Sequence, residues 1–529
     1  MAQYYEEAEK ELPGVLHAEK ANATINPQEA VLHLPNSNRR VLRRIDRVLM
    51  PLMFISYGLQ YMDKAILGAS SQFGVIQEVG LYDVVVITGT PTVDLKKFSN
   101  ATLMFYWGFA VGAFPASYLS QRFPIGVFCG VSMAVWGAVT MATALVTSYA
   151  GMMTIRHDVP PLSLHICLLL YVNMWTLVRF FLGVVEAAIP AAFSLIVGMW
   201  YKKDEHPLRF AIWVSASGLG GVVGTCLLWA IGHINGSLSP WKYQFIILGV
   251  ITMAWGLFIA LVMPKSPTSA RFLSDDDKIL AVERMRAGQT GIENDGFKMY
   301  QVKEAFLDLK TWAFVIIAFS CELVNGAVSG FSTIIITSFG FDPFQSVLVA
   351  GAMGAVVFFS VIVSGIISAY MPNQRCNIAF VMTLPVVAGC VVVWKVSWAS
   401  VGVPLFGFML LGFFTAPYIM VLAMVTANTG GQTKKLVTTA LVWCAYCVSN
   451  GVAPLLVSST EVSRHYPSLF IPIISFISFS LLVILVLRWY LKFYNKQKES
   501  AGSDDGASSA QTAFLDMTDK ENPNFRYSY

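Results

Sequence analysis

Residues 50–72 read MPLMFISYGLQYMDKAILGASSQ, a run long and apolar enough to cross a bilayer, yet interrupted past its middle by an acid and a base, Asp63 and Lys64. A spanning helix needs about 20 predominantly apolar residues, because lipid offers its backbone and side chains no hydrogen bonds. The same ruler finds eleven more runs, near 101–119, 126–147, 179–200, 210–232, 243–263, 312–336, 344–369, 377–396, 402–425, 437–459 and 469–491. Twelve spans make this an all-α membrane protein with a fold of transmembrane helices.

Composition agrees. Of 529 residues, 55% are hydrophobic and 13% charged, and the mean hydropathy is +0.60. A water-facing domain carries about 25% charged residues, so the partner of this surface is a lipid bilayer. The net charge of +4 comes from short basic clusters, which implies no nucleic acid. The first forty residues are polar, so no cleavable signal peptide is expected. Eight cysteines, Cys129, Cys167, Cys226, Cys321, Cys376, Cys390, Cys444 and Cys447, nearly all fall in apolar runs, without the spacing of a disulfide framework or metal site. Cys444 and Cys447, at i,i+3, read as packing residues. No metal and no cofactor is expected, and nothing suggests catalysis.

The loops alternate between basic and base-poor. Arg39, Arg40, Arg43, Arg44 and Arg47 precede the first run, Lys202, Lys203 and Arg209 follow the fourth, Lys434 and Lys435 the tenth, and Lys492, Lys496 and Lys498 the last. By the positive-inside rule these segments and both termini are cytoplasmic. Lys96 and Lys97, in the first external loop among acidic neighbours, are the exception. The expected organisation is a cytoplasmic tail over 1–47, a six-helix bundle over 48–263, a cytoplasmic loop over 264–311, a second six-helix bundle over 312–491 and a disordered cytoplasmic tail over 492–529. In the long loop, Ser274 before Asp275, Asp276 and Asp277 caps a short helix ending near Arg286. Two six-helix halves form the layout of a rocking two-bundle transporter, a layout that other polytopic folds share.

Ionisable side chains within a span are costly and mark function by default. Asp63 and Lys64 lie about 22 Å along the first helix. Arg179 and Glu186 lie seven residues apart in the fourth, about two turns, hence on one face. The first span runs outward and the fourth inward, so both pairs can meet one central cavity. A carboxylate short of water holds a proton more readily, and a nearby cation opposes this; that competition is what a proton-coupled carrier needs. Lys64 donates without accepting, which suits a substrate carboxylate. The plainer reading is that Asp63 with Lys64, and Arg179 with Glu186, are ion pairs holding helices together, although buried pairs add little over apolar packing. Glu322 and Asn325 in the seventh span and Asn450 in the eleventh are further candidates for hydrogen bonding a substrate or a neighbouring helix. Tyr61, one turn before Lys64 on its face, is a candidate substrate contact. Gly218, Gly220, Gly221 and Gly224 are expected to let helices approach closely, and Pro190, Pro417 and Pro454 to bend them.

At this point the chain resembles the major facilitator superfamily and, within it, the fungal allantoate-permease branch of the anion:cation symporters. The resemblance is carried by RRIDR at 43–47, YMDKAIL at 61–67, FPASYLSQRFPIG at 114–126, RFFLGVVEA at 179–187, GMWYKKDE at 198–205, NGAVSGF at 325–331 and the ending DKENPNFRY at 519–527. It implies the major facilitator fold and proton-driven uptake of a small organic anion by alternating access, by a monomer of the plasma membrane with the proton as coupling ion. It also implies that Asp63 and Glu186 are proton sites, that Arg179 couples them, and that Lys64 and Tyr61 contact the substrate. Gln121 stands where the superfamily usually carries an Asp before the loop arginine, here Arg122, and Phe109 where relatives carry a tyrosine. An exporter built on the same fold and a receptor that binds without transporting remain alternatives.

Relatives pass almost directly from the third span to the fourth, whereas residues 157–178 intervene here. A continuous helix from Leu162 to Trp200 would be about 58 Å long, nearly twice the hydrocarbon thickness. Deleting His157–Arg179 leaves GMMTIRFFLG, the uninterrupted family pattern. Residues 157–178 are therefore read as intron sequence carried into the chain, the alternative being a genuine external insertion. Mass spectrometry of the purified protein is expected to find no peptide from inside 157–178; one such peptide refutes the intron.

Overall fold

The computed structural model describes residues 35–87, 90–145, 174–202, 205–287, 298–371, 373–500, 517–523 and 525–529. Twelve helical segments run back and forth: α1 Pro35–Gln72, α2 Lys96–Arg122, α3 Ile125–Thr143, α4 Met174–Glu186 with Ala188–Trp200, α5 His206–Gly232 and α6 Pro240–Val262. The second set is α7 Leu309–Ser338, α8 Pro343–Tyr370, α9 Arg375–Lys395, α10 Gly402–Leu410 with Thr415–Asn428, α11 Gln432–Val452 and α12 Pro467–Ser500. Ten of these are both long and apolar enough to cross a membrane. The other two, α1 and α2, have the length but carry more polar residues, and they line the site described below. Residues 157–173 of the anomalous stretch lie outside the described residues, while 174–178 begin α4.

The first six helices pack as one bundle, through α1 with α5, α2 with α4 and α3 with α6; the last six form another, through α7 with α11 and α12 and α9 with α10 and α12. Between bundles, α5 lies along α8, α2 along α11 and α1 along α7. Glycines set these distances. A Cβ on Gly218 would fall 2.4 Å from the Gly354 carbonyl oxygen across the bundle interface, and one on Gly220 would fall 2.5 Å from the Gly58 oxygen. A glycine at each position is what allows the backbones to meet. At the ends of the helices away from Pro35 and Ser500, the bundles are joined by hydrogen bonds. Ser99 Oγ donates to the Pro454 carbonyl at 2.9 Å and Thr333 Oγ1 to the Gly68 carbonyl at 2.8 Å.

The three prolines each sit at a break. The helix of α4 is interrupted at Ala187, three residues before Pro190, because proline cannot donate to the carbonyl four residues back. A 3₁₀ turn, Leu411–Phe414, precedes Pro417, and another, Ala453–Leu456, contains Pro454. The exceptional lysines of the first connection are neutralised locally. An antiparallel hairpin, β1 Asp83–Ile87 and β2 Thr90–Asp94, presents Asp83 to Lys97 at 2.6 Å and Asp94 to Lys96 at 3.0 Å. Cys447 is buried but Cys444 is exposed, and both are free, so only one of the pair packs in the interior.

The ionic ties of the inter-bundle segment run to both halves: Glu304 pairs with Lys434 of α11 at 2.8 Å, and those of Asp277 and Arg284 go to the first half. Asp277, in the helix Asp275–Ala287 that Ser274 caps, pairs with Arg40 at 3.0 Å and with Arg44, and Arg284 pairs with Glu205 at 2.6 Å. A second helix, Met299–Leu307, ends at Asp308, whose carboxylate caps α7.

The described part of the tail departs from expectation, while residues 501–516 lie outside the described residues. Residues 492–500 continue α12, and residues 517–523 and 525–529 lie ordered against the second bundle. Asp519 is fully buried and accepts from Lys310 Nζ at 2.5 Å, Lys434 Nζ at 2.8 Å, the Tyr527 hydroxyl at 2.8 Å and the Gly430 amide at 3.2 Å. A polar tail without an apolar run reads as disordered, but this one is held by charge at the starts of α7 and α11. Burial alone would raise the Asp519 carboxyl, but Lys310 and Lys434 outweigh it and hold it down at about 2. The folded value lies below the unfolded value of about 3.9, so the contribution is whole above that pH and is lost as pH falls toward 2. Asp519→Ala is expected to cost about 3–5 kcal/mol, by leaving buried cations short of a partner. The deficit in melting temperature should be constant from pH 7 to 5 and shrink only in stronger acid; a deficit already gone at pH 5 contradicts the assignment.

Candidate functional site

The polar residues of α1 converge midway along the bundle. Lys64 Nζ lies 3.6 Å from Glu186 Oε1 of α4 and donates to the Tyr446 hydroxyl of α11 at 3.2 Å, which spans the two bundles. The rings of Phe105, Phe109 and Tyr446 surround the same ammonium, with centroids at 5.8, 5.7 and 5.8 Å. Such cation–π contacts replace part of the lost hydration. Glu186 is fully buried, and neither carboxylate oxygen has a hydrogen-bond partner among the described residues. Lys64 is therefore its one close cation there.

Neither of the within-helix ion pairs of the plainer reading forms. Asp63 points away from Lys64 and accepts from Thr140 Oγ1 of α3 at 2.9 Å. Arg179 is buried with its guanidinium 5.4 Å from both the Trp175 and Phe245 rings, and its Nε and Nη2 lack partners among the described residues. Neighbours on one helix point to different sides of it, which separates Asp63 from Lys64. The pairing that forms joins α1 to α4. All four charged groups nevertheless gather in one region: Asp63, Lys64 and Arg179 line a cavity of about 20 Å³ with Thr102 and Tyr106, and Glu186 sits beside Lys64.

The break in α4 has a consequence here. Pro190 leaves the Glu186 carbonyl without its helical donor, and Gln60 Nε2 of α1 donates to that carbonyl at 3.3 Å. The α1–α4 contact is thus polar at both the main chain and the side chain of one residue.

Across the cavity, Glu322 Oε2 accepts from Asn325 Nδ2 at 2.8 Å and from Asn450 Nδ2 at 3.0 Å, and Asn450 also donates to the Tyr446 carbonyl at 2.8 Å. The three candidates of the second bundle therefore form one cluster. Lys64, Glu322 and Asn325 line a cavity of about 40 Å³ together with Tyr57, Trp213 and Tyr418. Tyr61 lines a third, of about 30 Å³, with Lys64, Gly221 and Thr225. Each of these holds about one water.

Sequence reading did not single out Tyr446, Gln60 or Thr140. Tyr446 lies four residues before Asn450, on its face, a spacing that could have revealed it. Gln60 and Thr140 carry no comparable signal, since such side chains commonly bond within their own helix.

A twelve-helix, two-bundle membrane fold with charged groups buried at its centre defines a polytopic transporter. The Major Facilitator Superfamily matches residues 53–454, and the chain belongs to that family. An uncharacterized transporter of Schizosaccharomyces pombe is 30% identical over 93% of this chain and 87% of its own length. The thiamine pathway transporter THI73 of Saccharomyces cerevisiae is 28% identical, over 93% and 86%, and the allantoate permease of the same organism 25% identical, over 93% and 87%. Among solved structures, the proton:xylose symporter XylE superposes with a TM-score of 0.60 at 10% identity, covering 86% of this chain and 96% of that one. A bacterial homolog of the human lysosomal transporter Spinster, in an inward-facing and unoccupied conformation, gives 0.53 at 12%, covering 86% and 97%. At these identities the structures speak to fold alone.

The Lys64–Glu186 contact has a direct test in stability. Lys64→Met leaves Glu186 buried without a cation and is expected to lower stability by about 3–5 kcal/mol. Adding Glu186→Gln should recover most of the loss, because it removes the stranded charge. Additive losses in the double variant contradict a direct interaction.

Proposed function

We propose that this chain is a proton-coupled symporter that takes up a small organic anion by alternating access, in the plasma membrane with both termini cytoplasmic, and working as a monomer. The observation that carries the reading is the placement of Lys64, one buried cation touching Glu186 in its own bundle and Tyr446 in the other. A substrate carboxylate that reaches Lys64 competes with Glu186 for the ammonium. A buried carboxylate that loses its cation is costly, and a proton can take the cation's place. Loading the anion and loading the proton on Glu186 then favour one another, which is symport. Asp63 and Arg179 sit behind this pair as a second acid and a reserve cation. Tyr61 borders the same ammonium. The names of the relatives, an allantoate permease and a thiamine pathway transporter, fit a small polar cargo.

Export would use the same steps in reverse, and a receptor would bind without moving its ligand, so direction is the discriminating measurement. Proteoliposomes with external acid are expected to accumulate the radiolabelled carboxylate that most stabilises the purified protein. Glu186→Gln should abolish the acid-driven accumulation and leave exchange of labelled for unlabelled anion. Full acid-driven uptake by that variant refutes Glu186 as the proton site. Binding without accumulation in the wild type supports the receptor.

A further inference from the structure

The helix that carries Asp63 and Lys64 starts well outside the membrane. At about 1.5 Å per residue, the 38 residues of α1 are about 57 Å long, against about 30 Å of hydrocarbon. The part before Met50 therefore projects from the bilayer, and it holds Arg39, Arg40, Arg43, Arg44 and Arg47. At about 100° per residue these five fall within an arc of about 140°, while Val41, Ile45 and Leu49, on the opposite side of the same turns, are buried. The five arginines line one open space of about 480 Å³. Asp277 is the one acid paired with them among the described residues; it takes Arg40 and Arg44, whose side chains stay 55% and 42% exposed. Arg39, Arg43 and Arg47 are exposed and form no ion pair among those residues. Asp46, the acid within the run, turns instead to Arg209 of α5 at 2.9 Å. Five arginines against one aspartate leave this face strongly positive.

Orienting a span by the positive-inside rule does not need this arrangement. That rule asks only for cations near the end of the span, lysine or arginine, on any side of the helix. Here three like pairs at i,i+4, Arg39 with Arg43, Arg40 with Arg44 and Arg43 with Arg47, each disfavour the helix, and its first turn holds no acid to offset them. What the face lacks is an anion with several charges. The residue type narrows the choice, because the planar guanidinium takes two oxygens of a phosphate at once, which a lysine ammonium does not. The position narrows it further. Arg43, Arg44 and Arg47 lie within about 11 Å of Met50 along the helix axis, at the level where lipid headgroups lie and attract basic side chains.

We infer that the arginine face of α1 is a binding site for an anionic phospholipid whose headgroup carries more than one phosphate, with Arg39, Arg43 and Arg47 as its principal contacts. A serine headgroup, with one phosphate, engages one or two of the guanidiniums, whereas a headgroup with phosphates on its outer side reaches along the row. The same helix carries Asp63 about four turns beyond Arg47, so occupancy fixes the outer end of the helix on which the central charged site is built. The inference is independent of what that site transports.

The purified full-length protein in detergent is titrated by calorimetry with dioctanoyl phosphatidylinositol bisphosphate, dioctanoyl phosphatidylserine, dioctanoyl phosphatidylcholine and the free headgroup inositol trisphosphate. The bisphosphate lipid is expected to bind about tenfold or more tighter than either other lipid and than the free headgroup, which lacks the apolar chains. Arg39→Gln, Arg43→Gln and Arg47→Gln combined should weaken it about a hundredfold, at about fivefold for each charge. Lys303→Gln, Lys496→Gln and Lys520→Gln combined remove equal charge from other exposed positions and should weaken it less than about threefold, since they leave the arginine row intact. All six side chains are exposed, and the lipid-free melting temperature shows that each variant is folded. Phosphatidylserine binding the wild type as tightly as the bisphosphate overturns the inference, because that is charge without a site. Inositol trisphosphate binding as tightly also overturns it, because the ligand is then a soluble phosphate and not a lipid. So do equal losses in the two triple variants, or no binding by any of the four. The ranking within the wild type decides the matter even where a variant fails to fold.

Discussion

An ammonium group held inside a membrane protein must be satisfied from several directions at once, and most of the central architecture follows from satisfying Lys64. Glu186 approaches from α4, Tyr446 from α11, and two phenyl rings from α2. No single helix could supply all of these. The requirement brings α4 hard against α2, where a Cβ on Gly108 would fall 1.9 Å from the Phe180 carbonyl oxygen and one on Gly183 would fall 2.0 Å from that of Phe105. It also places α1 between the bundles, so the helix with the costliest side chains packs against both.

Alternating access, as proposed, requires the bundles to part. The bundles meet along α5 and α8 through glycine and small side chains, and away from the termini through a few hydrogen bonds to main-chain carbonyls. Aromatic pairs close the same end, Phe73 with Phe344 at 5.1 Å and Phe98 with Phe331 at 5.2 Å between ring centroids, so separation there also uncovers apolar rings. The charged residues that would resist separation, Asp63, Glu186 and Arg179, all belong to the first bundle. Among the charged groups of the described site, only Lys64 reaches across, through the hydroxyl of Tyr446, and in the proposed cycle a substrate replaces that contact.

The twelve spans were legible because lipid imposes one rule on every helix that faces it, a run of about 20 apolar residues. The charged residues of the site stood out by the same rule, as violations. Spacing predicted that Arg179 and Glu186 share a face, but it could not say which partner each meets, because that depends on helices distant in sequence. Pairing therefore came out differently: Lys64 with Glu186, Asp63 with Thr140, Arg179 against aromatic rings. The tail was misread for a related reason. Its order depends on Lys310 and Lys434, whose positions beside Asp519 no local pattern encodes. Pro190 was read as a bend, yet its larger effect, freeing the Glu186 carbonyl for Gln60, becomes visible only when α1 lies alongside.

The distribution of charge between the bundles divides the labour. Among the described residues, the site in the first bundle holds Asp63, Glu186, Lys64 and Arg179, and under the proposed symport it takes up a proton or an anion by rearranging its own pairs. The second bundle holds Glu322, tied by two amides and close to no cation of its own. In the proposed cycle, a solute between them meets an acid that can exchange its cation on one side and an acid held by two amides on the other. If the first bundle releases its end when Glu186 recovers Lys64, the grip of the second, a hydrogen bond or two, is too weak to hold the solute alone. Release then follows the proton rather than any separate opening signal.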